Sequence, residues 1–302
     1  MRIITRTVQA SALQTANFLN IEHIIEPFSS VTDAFAEPTI ITNLPTVITR
    51  GMELCTAYNP ATDTKDLATA FFCIGNGAHR VISGAPPVIP YPDTIPHRPS
   101  DTGLFNMLPF IIRPIANDLS IVERENFRGR RTLEIDGSLY VAYYLRRINT
   151  ASAAPEKSRV TVVDGQPVII PFAPTINNLR PTPPDIGVVN TGSYLQVIAT
   201  VNVEFTASDV TELKNVCQLL YNNENLAIVS EIGMVHALDS LVTQRYPDSG
   251  TQTPAAVVAT LYEAVGAEIA CFISDYFPVV YTNEGFTITI DMGATEPLYG
   301  SL

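Results

Sequence analysis

Apolar and polar positions alternate most cleanly between Tyr194 and Phe205. Leu195, Val197, Ala199, Val201, Val203 and Phe205 fall on one side, and Gln196, Thr200, Asn202 and Glu204 mainly on the other. A period of two marks a half-buried strand. Upstream, Leu133 to Val141 turns at Asp136-Gly137, and Val160 to Ile170 turns at Asp164-Gly165. Asp-Gly supplies the two positive-φ positions of a tight hairpin turn, so both segments are predicted as hairpins. Residues 129–205 are therefore read as an antiparallel β region, sandwich or jelly-roll-like.

The flanks follow other periods. Ala12, Leu13, Ala16, Leu19 and Ile24 share one face of a predicted helix over residues 9–26, stopped by Pro27. A second helix is predicted from Thr62-Asp63-Thr64 through Leu67, Ala70, Phe71 and Ile74, with Gly75-Asn76-Gly77 as its C-terminal stop. Thr206 is a cap for a third, whose stripe is Val210, Leu213, Cys217, Leu220 and Tyr221. A fourth spans residues 224–244 through Ile228, Ile232, Val235, Leu238 and Leu241. A fifth opens at Thr253-Pro254 and carries Val258, Leu261, Val265, Ile269, Phe272 and Tyr276, the strongest helical periodicity in the chain. Residues 279–291 read as a hairpin around Asn283-Glu284-Gly285.

Proline punctuates the rest. Residues 28–60 hold short β-branched runs separated by Pro38 and Pro45, and residues 84–114 hold eight of the 23 prolines. Ala85 to Pro92 cannot be helix or central strand, so an extended arm is expected there, with a second Pro-rich stretch at 171–187. The expected class is α+β. Residues 1–128 are a mixed helix and extended region, 129–205 the β region, and 206–302 a helical region ending in a hairpin.

Charge changes this picture. Charged residues are only 16% of the chain against 46% hydrophobic ones, and the net charge is −12. Residues 181–302 hold 14 acids and two bases, Lys214 and Arg245, whereas residues 1–180 balance at 16 each. An acidic C-terminal part repels nucleic acid, so DNA or RNA is not an expected partner. Fifteen of the 18 bases are Arg. Arg suits ion pairs and interfaces, where Lys suits open surface.

Six of them, Arg124, Arg128, Arg130, Arg131, Arg146 and Arg147, crowd into 24 positions. Glu123, Glu125, Glu134 and Asp136 are interspersed, which argues against a single-sign nucleic-acid stripe. An inter-subunit salt-bridge seam, meeting acids of a neighbour, and a solvated strand surface are the two remaining readings. The six are the candidate interface residues.

Candidate chemistry adds little. The chain lacks the GxSxG, P-loop, HExxH and GxGxxG patterns. Cys55, Cys73, Cys217 and Cys271 are widely spaced and His23, His79, His97 and His236 are scattered, so no metal, cofactor or catalytic set is expected. Cys73 with His79 is conceivable as a nucleophile pair, but a buried structural thiol is the more ordinary role. No secretory signal and no transmembrane run is expected.

In composition and layout the chain is similar to subunits of virus shells and other large protein coats. It has a β-rich middle, Pro-rich arms and scarce Lys. The resemblance implies an outer-shell or clamp-like subunit that contacts copies of itself or other shell proteins, in a virion or the host cytoplasm. Two alternatives are a hydrolase with carboxylates converging from distant positions, and a receptor- or glycan-binding module.

Overall fold

The computed structural model describes residues 2–19, 22–24, 57–58, 67–82, 91–150, 153–179, 187–246, 257–279 and 284–301. In chain order the elements begin with β1 (Ile3–Arg6), α1 (Val8–Leu19), β2 (His23–Ile24), β3 (Ala57–Tyr58) and β4 (Ala68–Gly75). Next come β5 (His79–Ile82), β6 (Tyr91–Thr94), β7 (Met107–Leu108), β8 (Ile111–Pro114) and the one-turn α2 (Ile121–Arg124). The hairpins β9 (Phe127–Ile135) with β10 (Ser138–Arg147) and β11 (Glu156–Val163) with β12 (Gln166–Pro171) follow. The last elements are α3 (Ile176–Leu179), β13 (Val188–Phe205), α4 (Ala207–Tyr221), β14 (Ile228–Tyr246), β15 (Val257–Pro278) and β16 (Phe286–Ser301). The fold is strand-rich, with antiparallel sheets and few helices, as the α+β, β-rich reading expects.

The chain divides into two units, residues 1–148 with 205–286, and residues 149–204 with 287–302. The first holds an eight-stranded sheet in the order β1-β15-β14-β4-β10-β8, with β7 on β4 and β9 on β10. Phe71, Cys73, Leu145, Val235, Ile269 and Phe272 belong to one core cluster of this unit. Val216 of α4 closes on Ile112, Ala142 and Tyr144 at one face. Thr206 caps α4 as expected, and with Asp209 it makes a reciprocal capping box. The second unit is a four-stranded sheet, β12-β11-β13-β16.

Both Asp-Gly hairpins form. Asp136 and Gly137 take φ of 49° and 74°, and Asp164 and Gly165 take 51° and 77°. Three expected helices are instead strands. The segment at 62–74 runs along β4 from Ala68, its residues 62–66 lying outside the described ones, residues 224–244 contain most of β14, and the third, with its Val258 to Tyr276 stripe, is β15. The physical reason is burial on both faces. Every residue from Glu263 to Ser274 is buried, so β15 shows no polar side to set its phase. Bulges complete the disguise. The β14–β15 register shifts at Val229/Glu231, Met234/Val235 and His236/Leu238, and each shift places an extra residue on β15. Each extra residue breaks the alternation and leaves spacings of three and four that mimic a helix.

Smaller differences have local causes. The first helix ends at Leu19, and Ile24 lies on β2 rather than on its face. β16 is not a hairpin partner of β15; it joins the other sheet beside β13. Of the expected 28–60 strands and the 84–114 arm, residues 28–56, 59–60 and 84–90 lie outside the described residues. The arm's end does run extended, with β6 pairing to β5. Gly75-Asn76-Gly77 follows a strand and is not a helix stop. A Cβ at Gly75 would meet the Asn106 carbonyl oxygen at 2.4 Å, so glycine permits the chains to touch.

That contact serves Glu231, which is fully buried on β14. Its carboxylate accepts from the backbone N–H groups of Gly77, Phe105 and Asn106, each at 2.9 Å, and pairs with His97 Nε2 at 2.8 Å. Rings of Phe105 and Phe272 stack on the two faces of His97, each with centroids 4.0 Å away. Removing the carboxylate strands four polar partners. E231A is expected to lose about 3–5 kcal/mol of unfolding free energy in urea titration, with E231Q intermediate.

His236, on β14, meets Thr69 Oγ1 at 2.8 Å through Nδ1. Burial, opposed by Glu268, lowers its pKa from 6.5 to about 4. The unfolded chain therefore takes up the proton first as pH falls. Stability is full above pH 6.5 and declines toward pH 4, by about 3 kcal/mol from this one group. Unfolding titrations across that window are expected to show a smaller decline in H236N than in the wild type.

Candidate functional site: an arginine-rich cleft

The β9–β10 hairpin distributes the arginine cluster by strand alternation. On β10, Tyr143, Leu145 and Arg147 face one way, and Ala142, Tyr144 and Arg146 the other. Arg146 accordingly turns toward α4, where it pairs with Asp209 at 2.8 Å and lies over Phe127. Arg147 turns into a cleft of about 510 Å³, joined by Arg128 and Arg130 from β9 and by Arg124 from α2. Arg131 lies on β9 opposite Ala142 and outside the cleft lining. Four of the six candidate residues thus converge.

The arginines of the cleft are held in a mesh of ion pairs within the chain, with Asp239 in the lining and Asp118 behind it. Asp118 accepts from Arg124 at 2.6 Å, from Arg130 at 2.8 Å and from the Tyr143 hydroxyl at 2.7 Å. Asp239 accepts from Arg128 at 2.8 and 3.2 Å, and from Arg147. Arg128 is only 3% exposed, and its guanidinium lies 5.7 Å from the ring centres of both Phe71 and Tyr262. It also donates to the carbonyls of Arg124 and Phe127, at 2.6 and 2.7 Å. Burial alone would raise the Asp239 carboxyl, but the hydrogen bonds and charges of Arg128 and Arg147 outweigh it and hold that carboxyl below its ordinary range.

Glu263 behaves oppositely. It accepts from the backbone N–H groups of Gly129 at 2.6 Å, Ala264 at 3.0 Å and Arg130 at 3.4 Å. Burial still pushes its carboxyl above the usual range, because those neutral donors offset only part of the desolvation. Gly129, at φ 65°, makes the backbone bend that aims its N–H at this carboxylate.

Above the floor the rim is apolar and open. Ile121 is 76% exposed, Leu241 55% and Tyr262 53%. A capping box, with Ser120 and Glu123 bonded reciprocally, starts α2 and so places Ile121 and Arg124 at the mouth.

The remaining candidates do not converge. Cys73 sits fully buried inside β4, its thiol hydrogen bonded to the Gly233 carbonyl. Burial, with Glu231 nearby, pushes that thiol well above its usual range, which suits a structural thiol. His79 lies on β5 edge-on to Tyr276. His23 pairs with buried Glu268 at 2.7 Å. Cys217 and Cys271 are buried thiols, each raised to about 11 by burial. Among the described residues no group of three or more His, Cys, Asp and Glu is placed to hold a metal ion.

Asp118, Asp239, Glu263 and Tyr262 were not legible as site residues. One signal was available. Asp239, Glu263 and Glu268 each interrupt an otherwise apolar run, and an acid in such a run implies a buried partner.

Arg128 carries the most contacts in the cleft. R128A is expected to cost about 3 kcal/mol in chemical denaturation, because Asp239 and the carbonyls of Arg124, Glu125 and Phe127 lose a buried donor. R128K restores only part of this, since an ammonium cannot reproduce the planar fork. A double-mutant cycle with D239N measures the coupling.

The chain belongs to a family of unknown function, DUF7208, whose pattern matches residues 52–302. No curated protein and no solved structure matches it.

Proposed function

We propose that this family member is a structural assembly subunit of the coat or shell kind, working through protein–protein contacts. The observation that carries the reading is the cleft, where an ion-paired arginine floor underlies an exposed apolar and aromatic rim. Arginine and aromatic side chains are what interface centres are enriched in, and a pre-paired floor adds no unpaired charge when a partner covers it. The lining carboxylates Asp239 and Glu263, and Asp118 behind the lining arginines, already accept from donors of their own chain. The partners of this reading are copies of the chain or other shell proteins, in a virion or the host cytoplasm. Nucleic acid is no part of it, because arginines and acids balance in the cleft. Among the described residues no helix is long and apolar enough to cross a membrane.

One observation favours a second reading, a hydrolase. Asp239 and Glu263 are shifted in opposite directions within one cleft, as an acid–base pair requires. Their saturation by internal donors weighs toward assembly.

Sedimentation velocity and negative-stain electron microscopy of the full chain across a concentration series test the proposal. The expected result is assembly that grows with concentration and that I121D and L241D weaken by roughly tenfold. A compact monomer at every concentration overturns it.

A further inference from the structure

Glu268 is a buried carboxylate that takes no part in the cleft. It stands on β15 directly opposite His236 of β14, and His23 of β2 pairs with it at 2.7 Å. His23 is buried while its neighbours Glu22 and Ile24 are exposed, so β2 enters the first unit through this one side chain. β2 pairs with β3 in a two-stranded sheet of its own, separate from the eight-stranded one. A two-stranded ribbon is marginal in water unless something docks it. Here the His23–Glu268 pair is the dock. The charges that face His236 are Glu268 from β15, His23 from β2 and Arg6 from β1. β4 contributes the uncharged Thr69, and α1, packed beside β2 and β15, carries no charged residue.

We infer that the β2–β3 ribbon is an acid-opened latch, with His23 as its bolt, Glu268 as its keeper and His236 as the group that senses the proton. At neutral pH His236 is uncharged, because burial lowers its pKa to about 4. Protonating it sets a further positive charge beside those of His23 and Arg6, all facing one carboxylate. His23 is the one of the three on a marginal element, so it is the one displaced. Its departure lets water reach His236, and a hydrated imidazole takes its proton at a higher pH than a buried one. The open form therefore binds more protons than the closed form between pH 6.5 and about 4, and opening increases as pH falls through that window. The inference is independent of the assembly reading above, since it uses none of the cleft residues.

Amide hydrogen exchange of the full chain tests it, read by mass spectrometry across the same pH window and corrected for the intrinsic pH dependence of exchange. A peptide containing His23 and Ile24 is expected to lose protection by about tenfold or more, while β14 and β15 stay protected. In H236N the loss is expected to move to lower pH by about one unit, because asparagine can still bond Thr69 but takes no proton. E268Q removes the charge of the keeper, and its β2 is expected to be unprotected already at neutral pH. Protection of β2 that persists through the window overturns the inference, and so does protection lost only together with that of β14 and β15. A loss in H236N at the wild-type pH, or wild-type protection in E268Q, overturns it as well. The first two outcomes need only the wild type, so the test stands even where a variant does not fold.

Discussion

Three carboxylates buried on the two longest strands hold the first unit together. Glu231, Glu263 and Glu268 are at most 4% exposed. Taking a carboxylate out of water costs several kcal/mol unless donors surround it. Neither strand supplies enough donors of its own, so each glutamate draws in a distant segment. Glu231 gathers Gly77, His97, Phe105 and Asn106, which pins the loops around β5 and β7 to the sheet. Glu263 gathers the bent start of β9, and Glu268 gathers His23. The glycines at 75 and 77 are consequences of this demand, because a side chain there would collide with Asn106 or Glu231.

The cleft inherits its geometry from the same constraint. Glu263 fixes β9 through Gly129, and β9 then delivers Arg128 to Asp239 and Arg130 to Asp118. The arginines are thereby spent on acids of their own chain. Asp209 and Asp239 belong to the acidic C-terminal part, so the expected meeting of arginine cluster and acidic region takes place inside one molecule. What remains exposed at the cleft is the rim of Ile121, Leu241 and Tyr262. A neutral, preorganised floor beneath an apolar rim suits contact, because covering it strands no charge.

The second unit works by a different balance. Its four strands bury Val160, Val201, Val203, Ile288 and Ile290, and leave other aliphatics of β11 and β12 exposed. Where the first unit buries its charges beside partners, the second displays exposed aliphatics beside exposed Lys157 and Arg159.

The turns, the β-rich class and the α4 cap were legible because each depends on neighbours in sequence. Asp136-Gly137 and Asp164-Gly165 turn the chain whatever surrounds them, Thr206 caps with Asp209 three residues on, and Tyr194 to Phe205 alternates along a strand. The arginine cluster was legible as a group but not as a mesh, since Asp118, Asp209 and Asp239 are brought to it only by folding. Tertiary structure alone decided β4, β14 and β15. Strands buried on both faces carry no polar side, and bulges on β4 and β15 reset the phase there, so local periodicity imitates a helix until the neighbouring strands supply the hydrogen bonds.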